Sequence, residues 1–412
     1  MPEQYQLLVG IDWATEIHQV CVMNAGRQIL EQKKVEHSGS GMAQVVELLM
    51  KLSANRPELV AIAIETPRGA VVETLVERQF AVYSLNPKQM DRFRDRHTVP
   101  GAKDDSRDAF VMADSLRTDL HLFHRVRLDD PWVIRLRELS RAEEDLQQEI
   151  VRTGHRLREL LIRYYPQMLH LCPGVDEPWF WALLELAPLP INAAKLQRTK
   201  IGHLLKLHRI RRITGEEVLA ALNVPALTLA PGSAEAASEH MLLLLPLLRL
   251  LRQQKTELAK RMENLLGEMA EPGQSEEHRD VTILLSLPGV GRIVAATMLA
   301  EASQPLAERD YHALRSYAGA APITRQSGKR RIVIMRKSCN PRLRDALYHW
   351  SRVSIQCDER SKKHYAELRA KGHSHGRALR GIADRLLAVL IAMLRGNTLY
   401  DPAFPKAASQ AA

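Results

Sequence analysis

Cysteine is scarce: Cys21, Cys172, Cys339 and Cys357 are the only four in 412 residues. None forms a C-x-x-C pair or stands near histidines at zinc-finger spacing, so a disulfide framework and a structural zinc are excluded, and reduced thiols are expected. Long apolar runs are missing as well. The most apolar stretch, Met241 to Leu251, is broken by Pro246 and Arg249 and falls short of the roughly 18 to 20 residues a membrane crossing needs. The opening MPEQYQLLVGID has no basic start, apolar core or small-residue cleavage site, which gives a cytoplasmic expectation. Aromatic residues make up only 5%, and acid is outweighed by base, 48 Asp and Glu against 58 Lys and Arg, for a net charge of +10. That balance points to polyanionic partners. What is abundant is leucine and arginine, in a 45% hydrophobic, 26% charged chain that is too long for one core and leans towards helix.

The first 125 residues read as an α/β unit. Tyr5 to Ile11, His18 to Met23 and Gln28 to Val35 predict a three-strand meander, followed by a helix over Met42 to Leu52 and a buried strand, Leu59 to Ile64. A helix at Val71 to Arg78, a strand at Phe80 to Leu85 and a helix from Asp105 to about His121 complete it, implying a sheet with a parallel portion. From Pro131 to about Tyr165, and again from Glu239 to about Met269, leucine-rich spacing predicts two long amphipathic helices that can run antiparallel as a coiled-coil-like arm. Prolines break the intervening 166–235 into an inserted segment of short helices. Charge then becomes lopsided: between His312 and Arg395 there are 19 Lys or Arg against 5 Asp or Glu, a density expected of a nucleic-acid surface.

Three constellations carry chemistry. Asp12 and Glu65 each end an apolar strand, VGID and AIAIE, where the carboxyl edge of a parallel sheet opens into a crevice. Asp105 and Asp108, in KDDSRDA, are spaced i, i+3 on one helix face that can pack across it. Four converging carboxylates repel unless a cation neutralises them, and hard oxygen donors select Mg²⁺ or Mn²⁺ for phosphodiester chemistry. In the neighbouring Asp104-Asp105 doublet, only Asp105 shares a face with Asp108. Second, Leu287-Pro-Gly-Val-Gly291 precedes an apolar helix at Ile293 to Leu299, so Gly289 and Gly291 can present backbone N–H groups to a nucleic-acid phosphate as a helix-hairpin-helix turn does; a plain tight turn is the other reading. Third, Ser327-Gly328 leads into Lys329, Arg330 and Arg331, then Arg336, Lys337, Asn340, Arg342 and Arg344. These are candidate nucleic-acid contacts around a hydroxyl that can be a phosphate ligand, a turn former or a nucleophile.

Taken together, GIDWA, IETPRG, KDDSRDA, LPGVG, YAGAAP, QSG and NPRLR resemble the transposases of the IS110 insertion-sequence family, over roughly residues 5 to 125 and 280 to 395. Thr15, Ala320 and Cys339 stand where that family usually has lysine, leucine and glycine. The resemblance implies an α/β plus α protein: an RNase H-like, RuvC-like domain over 1–125 with a DEDD metal site at Asp12, Glu65, Asp105 and Asp108. A helical arm with its insertion would span 126–275, a mainly helical transposase domain with a catalytic serine, Ser327, would span 276–400, and a tail 401–412. It further implies a DNA recombinase that cuts and rejoins donor and target DNA through a serine–phosphate link, assisted by Mg²⁺ and guided by a structured bridge RNA, in a homodimer or homotetramer. Arg330, Arg331 and Lys337 are then candidates to neutralise charge at the reacting phosphate. The alternatives are a junction resolvase that uses water, with Ser327 only binding phosphate, and a non-catalytic nucleic-acid scaffold. An actin-like or sugar-kinase ATPase finds no second Gly-rich phosphate turn in the N-terminal half.

Overall fold

Alternation decides which side of the first sheet each residue takes. In the computed structural model, which describes residues 5–96, 105–271, 276–328 and 330–402, the chain divides into two compact units, Met1–Asp129 and Asp130–Ala412. Asp104, Lys329 and the tail beyond 402 lie outside the described residues.

In the first unit a six-stranded sheet runs in the order β3-β2-β1-β4-β5-β6. β1 (Leu7–Asp12), β2 (Ile17–Asn24) and β3 (Ile29–Glu36) form the antiparallel meander, and β4 (Val60–Ile64) and β5 (Ala81–Ser84) run parallel to β1. β6 (His124–Arg125) closes the far edge antiparallel to β5. The opposite edge, β3, is exposed and charged, which discourages pairing with another chain. Leu7, Val9 and Ile11 with Val60, Ile62 and Ile64 pack under α1 (Gly39–Leu52) and α2 (Ala70–Glu77). Leu8, Ala61 and Ala63 take the other face, under α3 (Pro87–Asp95) and α4 (Asp105–Asp119). Gly10 lies on that second face, where a Cβ would stand 1.9 Å from the Ala109 carbonyl oxygen of α4. Glycine at 10 and alanine at 61 and 63 therefore let α4 lie directly on the strands. The meander and the strand–helix alternation match the sequence expectation. α3 and β6 were not anticipated: α3 carries little apolar periodicity beyond Met90 and Phe93, and β6 is two residues long.

The second unit is built on α5 (Pro131–Tyr164) and α11 (Ser233–Met269). Asp130 caps α5, its carboxylate accepting from the Trp132 N–H at 2.8 Å, with Pro131 in the first helical position. The two helices run antiparallel, because Val133 and Leu136 share a core with Met262, Leu265 and Met269, whereas Leu157 and Leu161 share another with Met241, Leu245 and Leu248. α11 begins before the expected Glu239 and continues through Pro246. The lost hydrogen bond there is offset by burial of Leu244, Leu245 and Leu248 around it. Between them lie α6 (Met168–Leu171), α7 (Pro178–Leu186), α8 (Pro190–Ala193), α9 (Arg198–Leu207) and α10 (Gly215–Leu222). Pro178 and Pro190 start helices rather than merely interrupting them. The C-terminal region adds α12 (Glu276–Ser286), α13 (Arg292–Glu301), α14 (Ser303–Ala307), α15 (Tyr311–Tyr317), the hairpin β7 (Ile323–Ser327) and β8 (Arg330–Ile334), then α16 (Pro341–Cys357), α17 (Glu359–Ala370) and α18 (His375–Gly396). A mixed sheet followed by a mostly helical region is the observed architecture. No helix among the described residues is long and apolar enough to cross a membrane.

Candidate active site

Alternation that buries Leu8 and packs Gly10 on α4 carries Asp12 to the same face at the carboxyl end of β1. In β4 the same logic runs Ala61, Ala63, Glu65. The last rung of the parallel ladder pairs Ile11 with Ile64, so Asp12 and Glu65 are the next residues along two adjacent strands, about 5 Å apart in the sheet direction. α4, held close by Gly10, brings its first turn to that edge. There Asp108 is buried, 3% exposed, while Asp105, one helical face position away, is exposed.

An arginine sits among these acids. Arg94, on α3, donates from Nε to Asp108 Oδ1 and from Nη2 to Asp108 Oδ2, both at 2.7 Å. It also donates to Asp91 at 2.9 Å. The hydrogen bonds to Asp108, with the charges of Asp108, Asp91 and Glu65, hold the Arg94 guanidinium above its ordinary range against the opposing effect of burial. A cation is thus already drawn to the acid edge, and the donors are all carboxylate oxygens, the chemistry that fits a hard divalent ion. Among the described residues, no three of these acids bring carboxylate oxygens within 4.8 Å of one another; Asp105 is exposed, and both oxygens of Asp108 accept from Arg94.

One other triad, Cys172, Asp176 and Glu177, reaches that density. Glu177 accepts from the Trp179 indole N–H at 2.8 Å and from Arg212 at 2.5 Å. Burial, then the Glu177 charge, pushes the Cys172 thiol up to about 11. A protonated thiol beside an arginine-paired acid is a packing arrangement.

The LPGVG turn divides into two roles. Gly289 has φ +81°, and a Cβ there would meet Ser354 Oγ at 2.7 Å and its backbone nitrogen at 2.8 Å. The Pro288 carbonyl accepts from the Trp350 indole at 3.0 Å and from Ser354 Oγ at 2.8 Å. Gly289 therefore seats the turn on α16. Gly291, at the N-cap of α13, has nothing within 4 Å of its Cβ position and is the residue open to a phosphate.

Ser327 lies in a hairpin, where the sequence suggested a basic loop. It is the last residue of β7, exposed, and paired with Arg330 at the start of β8. Gly328 has φ +55°, the left-handed conformation a two-residue hairpin turn favours. The register pairs Arg325 with Ile332 and Gln326 with Arg331, so Ser327, Arg330 and Arg325 share one face and Arg331 takes the other. Arg325 is a residue the sequence reading missed; only the register reveals it. Arg336 donates to the Ala321 carbonyl at 3.2 Å, and the Asn340 N–H donates to the Tyr317 carbonyl at 2.8 Å, pinning the base of the hairpin. Lys337 is exposed beside it. Cys339 packs on Gly319, whose φ is +74° and whose Cβ would stand 2.8 Å from Cys339 Sγ.

Asn340 and Arg342 face inward. Asn340 caps α16, accepting from the Arg342 and Leu343 N–H groups, and donates to Glu301 at 3.0 Å. Arg342 pairs with Glu144, donates to Ser140 Oγ at 2.9 Å and lies 3.1 Å from Glu301. Arg141 adds a fork of 2.9 and 3.2 Å to the same carboxylate. Burial opposes the Glu301 charge, but the hydrogen bonds from Arg141 and Asn340 and the charges of Arg141 and Arg342 outweigh it, holding Glu301 below the ordinary glutamate range. Arg344 contacts Asp345 at 3.2 Å and lines a cavity of about 270 Å³ with Gly319 and Tyr348.

Comparison with known proteins adds a finding that the geometry does not contain. A family model described as "Transposase" matches residues 9–166, and one described as "Transposase IS116/IS110/IS902 family" matches residues 281–366. The chain is 31% identical over 408 residues to the "Mini-circle putative transposase for IS117" of Streptomyces coelicolor, covering 95% of this chain and 94% of that protein. It is 28% identical over 418 residues to the "Insertion element IS110 uncharacterized 43.6 kDa protein" of the same organism, covering 100% and 99%. A shorter match, 46% identical over 213 residues, joins 52% of the chain to 59% of the "Putative transposase y4uE" of Sinorhizobium fredii.

Proposed function

The chain belongs to the IS116/IS110/IS902 family of transposases, enzymes that act on the DNA of insertion sequences, and from that premise we propose a metal-assisted recombinase whose nucleophile is Ser327. The first unit would be an RNase H-like, RuvC-like nuclease domain. The strand order, a three-strand meander joined to parallel strands with two acids at their carboxyl ends, supports that reading. The observation that carries the metal site is Arg94: a guanidinium bound to Asp108 and attracted by Glu65 marks where positive charge is wanted. Asp12, Glu65 and Asp108, with Asp105 beside them, would hold Mg²⁺ or Mn²⁺, with Arg94 giving up Asp108 to the ion. When bound, the ion supplies Lewis-acid activation of the scissile phosphate.

Ser327 forms an Oγ–P bond as a P–O bond to the sugar breaks, and the proton lost from Oγ goes to the departing sugar oxygen, which becomes a free hydroxyl. The number of phosphodiester links is conserved, so rejoining needs no outside energy. Arg330 and Arg325, on the Ser327 face, would neutralise charge building on the phosphate. Arg331, on the opposite face, and Lys329, Arg336, Lys337 and Arg344 would meet the backbone of DNA, with Gly291 offering its N–H. Asn340 and Arg342 would act by positioning the hairpin. Sequence choice would come from base pairing with a structured bridge RNA, the protein contacting phosphates and helix shape along its basic 312–395 stretch. A homodimer or homotetramer would use the arm, where Leu243, Leu247 and Leu250 are exposed at i, i+4 and i+7 on α11.

Strand cleavage of labelled donor DNA by the wild type, Ser327→Ala and Asp12→Asn tests this proposal. Loss of cleavage in both variants is the expected result; cleavage retained in Ser327→Ala but lost in Asp12→Asn identifies a hydrolytic resolvase, and no cleavage by the wild type above a protein-free control identifies a binding scaffold.

A further inference from the structure

The residue after Asp12 is an exposed tryptophan. Trp13 is 41% exposed, whereas Trp179, Trp181 and Trp350 are at most 1% exposed and Trp132 is partly buried against the core. An indole left in water at a strand end contributes nothing to a core, yet this one is held firmly. Its ring stacks on His18, with centroids 6.3 Å apart and planes 20° from parallel, and stands edge-on to His37 at 6.3 Å. His18 is 1% exposed. Its Nδ1 accepts from the Ala14 N–H at 3.3 Å, so the proton of the neutral ring lies on Nε2, which donates to His37 Nδ1 at 2.9 Å. Two histidines thus brace the indole and fix the Trp13–Ala14 backbone, leaving the rest of the ring open at the carboxyl end of β1, on the Val20 and Val22 side of the sheet and across β1 from the face that carries Asp12.

We propose that Trp13 is a stacking platform for an unpaired nucleobase of the nucleic acid bound at the carboxyl end of β1 and β4. This rests on the acid-edge reading above and adds what lies next to it. A base inside a duplex is already stacked on both sides, so an indole face accepts only one that has left the stack. A pre-braced ring accepts it without the entropy cost of being ordered on binding. The ligand is an unpaired base, which a displaced DNA strand or an RNA loop could each supply.

Trp13 is the most solvent-exposed of the five tryptophans, so contact quenching by a base acts chiefly on its share of the intrinsic emission, and the difference between wild type and Trp13→Phe isolates that share. Full-length protein in EDTA is titrated with a short single-stranded DNA, the same sequence as RNA, and the annealed DNA duplex. A single strand should quench emission and the duplex should not, and the more strongly quenching single strand identifies the source of the base. Trp13→Leu should weaken single-strand binding by about fivefold to a hundredfold, and Trp13→Phe should bind within about threefold of wild type while losing the quench. Unchanged binding by Trp13→Leu, or equal quenching by duplex and single strand, overturns the proposal. Asp12→Asn, measured for cleavage and for quenching, separates the two ideas. Retained cleavage retires the acid site, whereas the quench still decides Trp13 by itself.

Discussion

Replacing Arg94 by alanine removes both hydrogen bonds that the buried Asp108 carboxylate receives from it, each 2.7 Å long. Breaking a buried ion pair from one side costs about 3–5 kcal/mol, because the remaining charge is stranded. The Arg94 side chain is 27% exposed, so water reaches its end of the pair and a cost just below that range, about 2–3 kcal/mol, is expected for the ion-free protein. For a unit of this size that is a fall in melting temperature of about 6–12 °C, read by calorimetry on the full chain as a shift of one transition. Magnesium should then act unequally. At the proposed metal site the ion would compete with Arg94 for Asp108 in the wild type, and would have no such competitor in Arg94→Ala. The variant should therefore bind Mg²⁺ at least about tenfold more tightly and gain about 1.4 kcal/mol more stability from a saturating concentration than the wild type does. Equal stabilisation of both proteins by Mg²⁺ refutes the idea that guanidinium and metal share one place. A variant that melts like the wild type without the ion refutes the assigned strength of the pair.

Other outcomes follow from single contacts. Gly10→Ala forces a Cβ to within 1.9 Å of the Ala109 carbonyl and should cost about 3 kcal/mol or more by prising α4 off β1, whereas Gly291→Ala, with open space, should cost under about 1 kcal/mol; urea unfolding compares them. The depressed Glu301 supports the fold fully above its unfolded-state value of 4.5. That support is lost as pH falls from about 4.5 through the lower folded value, so stability should drop over that window in the wild type and lose this component in Glu301→Gln, as seen in denaturant midpoints against pH. Arg330→Ala and Arg325→Ala should each slow strand cleavage by about a hundredfold or more, the effect of deleting one charge-stabilising donor. Arg331→Ala, on the opposite hairpin face, should chiefly weaken DNA binding and flatten its salt dependence, and single-turnover rates at saturating DNA separate the two.

Much of this was legible in the sequence. Period-two runs at Leu7–Ile11 and Val60–Ile64 announce buried strands, and the acids that end them need no contact map to be placed at one edge. Leucine spacing marks α5 and α11 because a long helix must repeat its apolar stripe. The residues that escaped are those whose meaning depends on a partner distant in the chain. Arg94 reads as one basic residue in a charged stretch until α3 forms and lies against α4. Arg342 reads as one more basic residue in NPRLR until Glu301, Glu144 and Ser140 surround it. Arg325 and Arg331 are indistinguishable in composition, and only the hairpin register separates their faces. Gly289 also makes a close approach to Ser354, a contact invisible in the LPGVG motif itself.

The measurement that tests the central claim most directly is covalent trapping. Full-length protein co-expressed with its flanking non-coding region is incubated with labelled donor and target DNA and Mg²⁺, denatured, and separated on a gel, and the labelled protein is digested for mass spectrometry. The account predicts a protein–DNA band, a nucleotide phosphate attached at Ser327, and loss of that band in both Ser327→Ala and Asp12→Asn. Cut DNA with no label on the protein would contradict it.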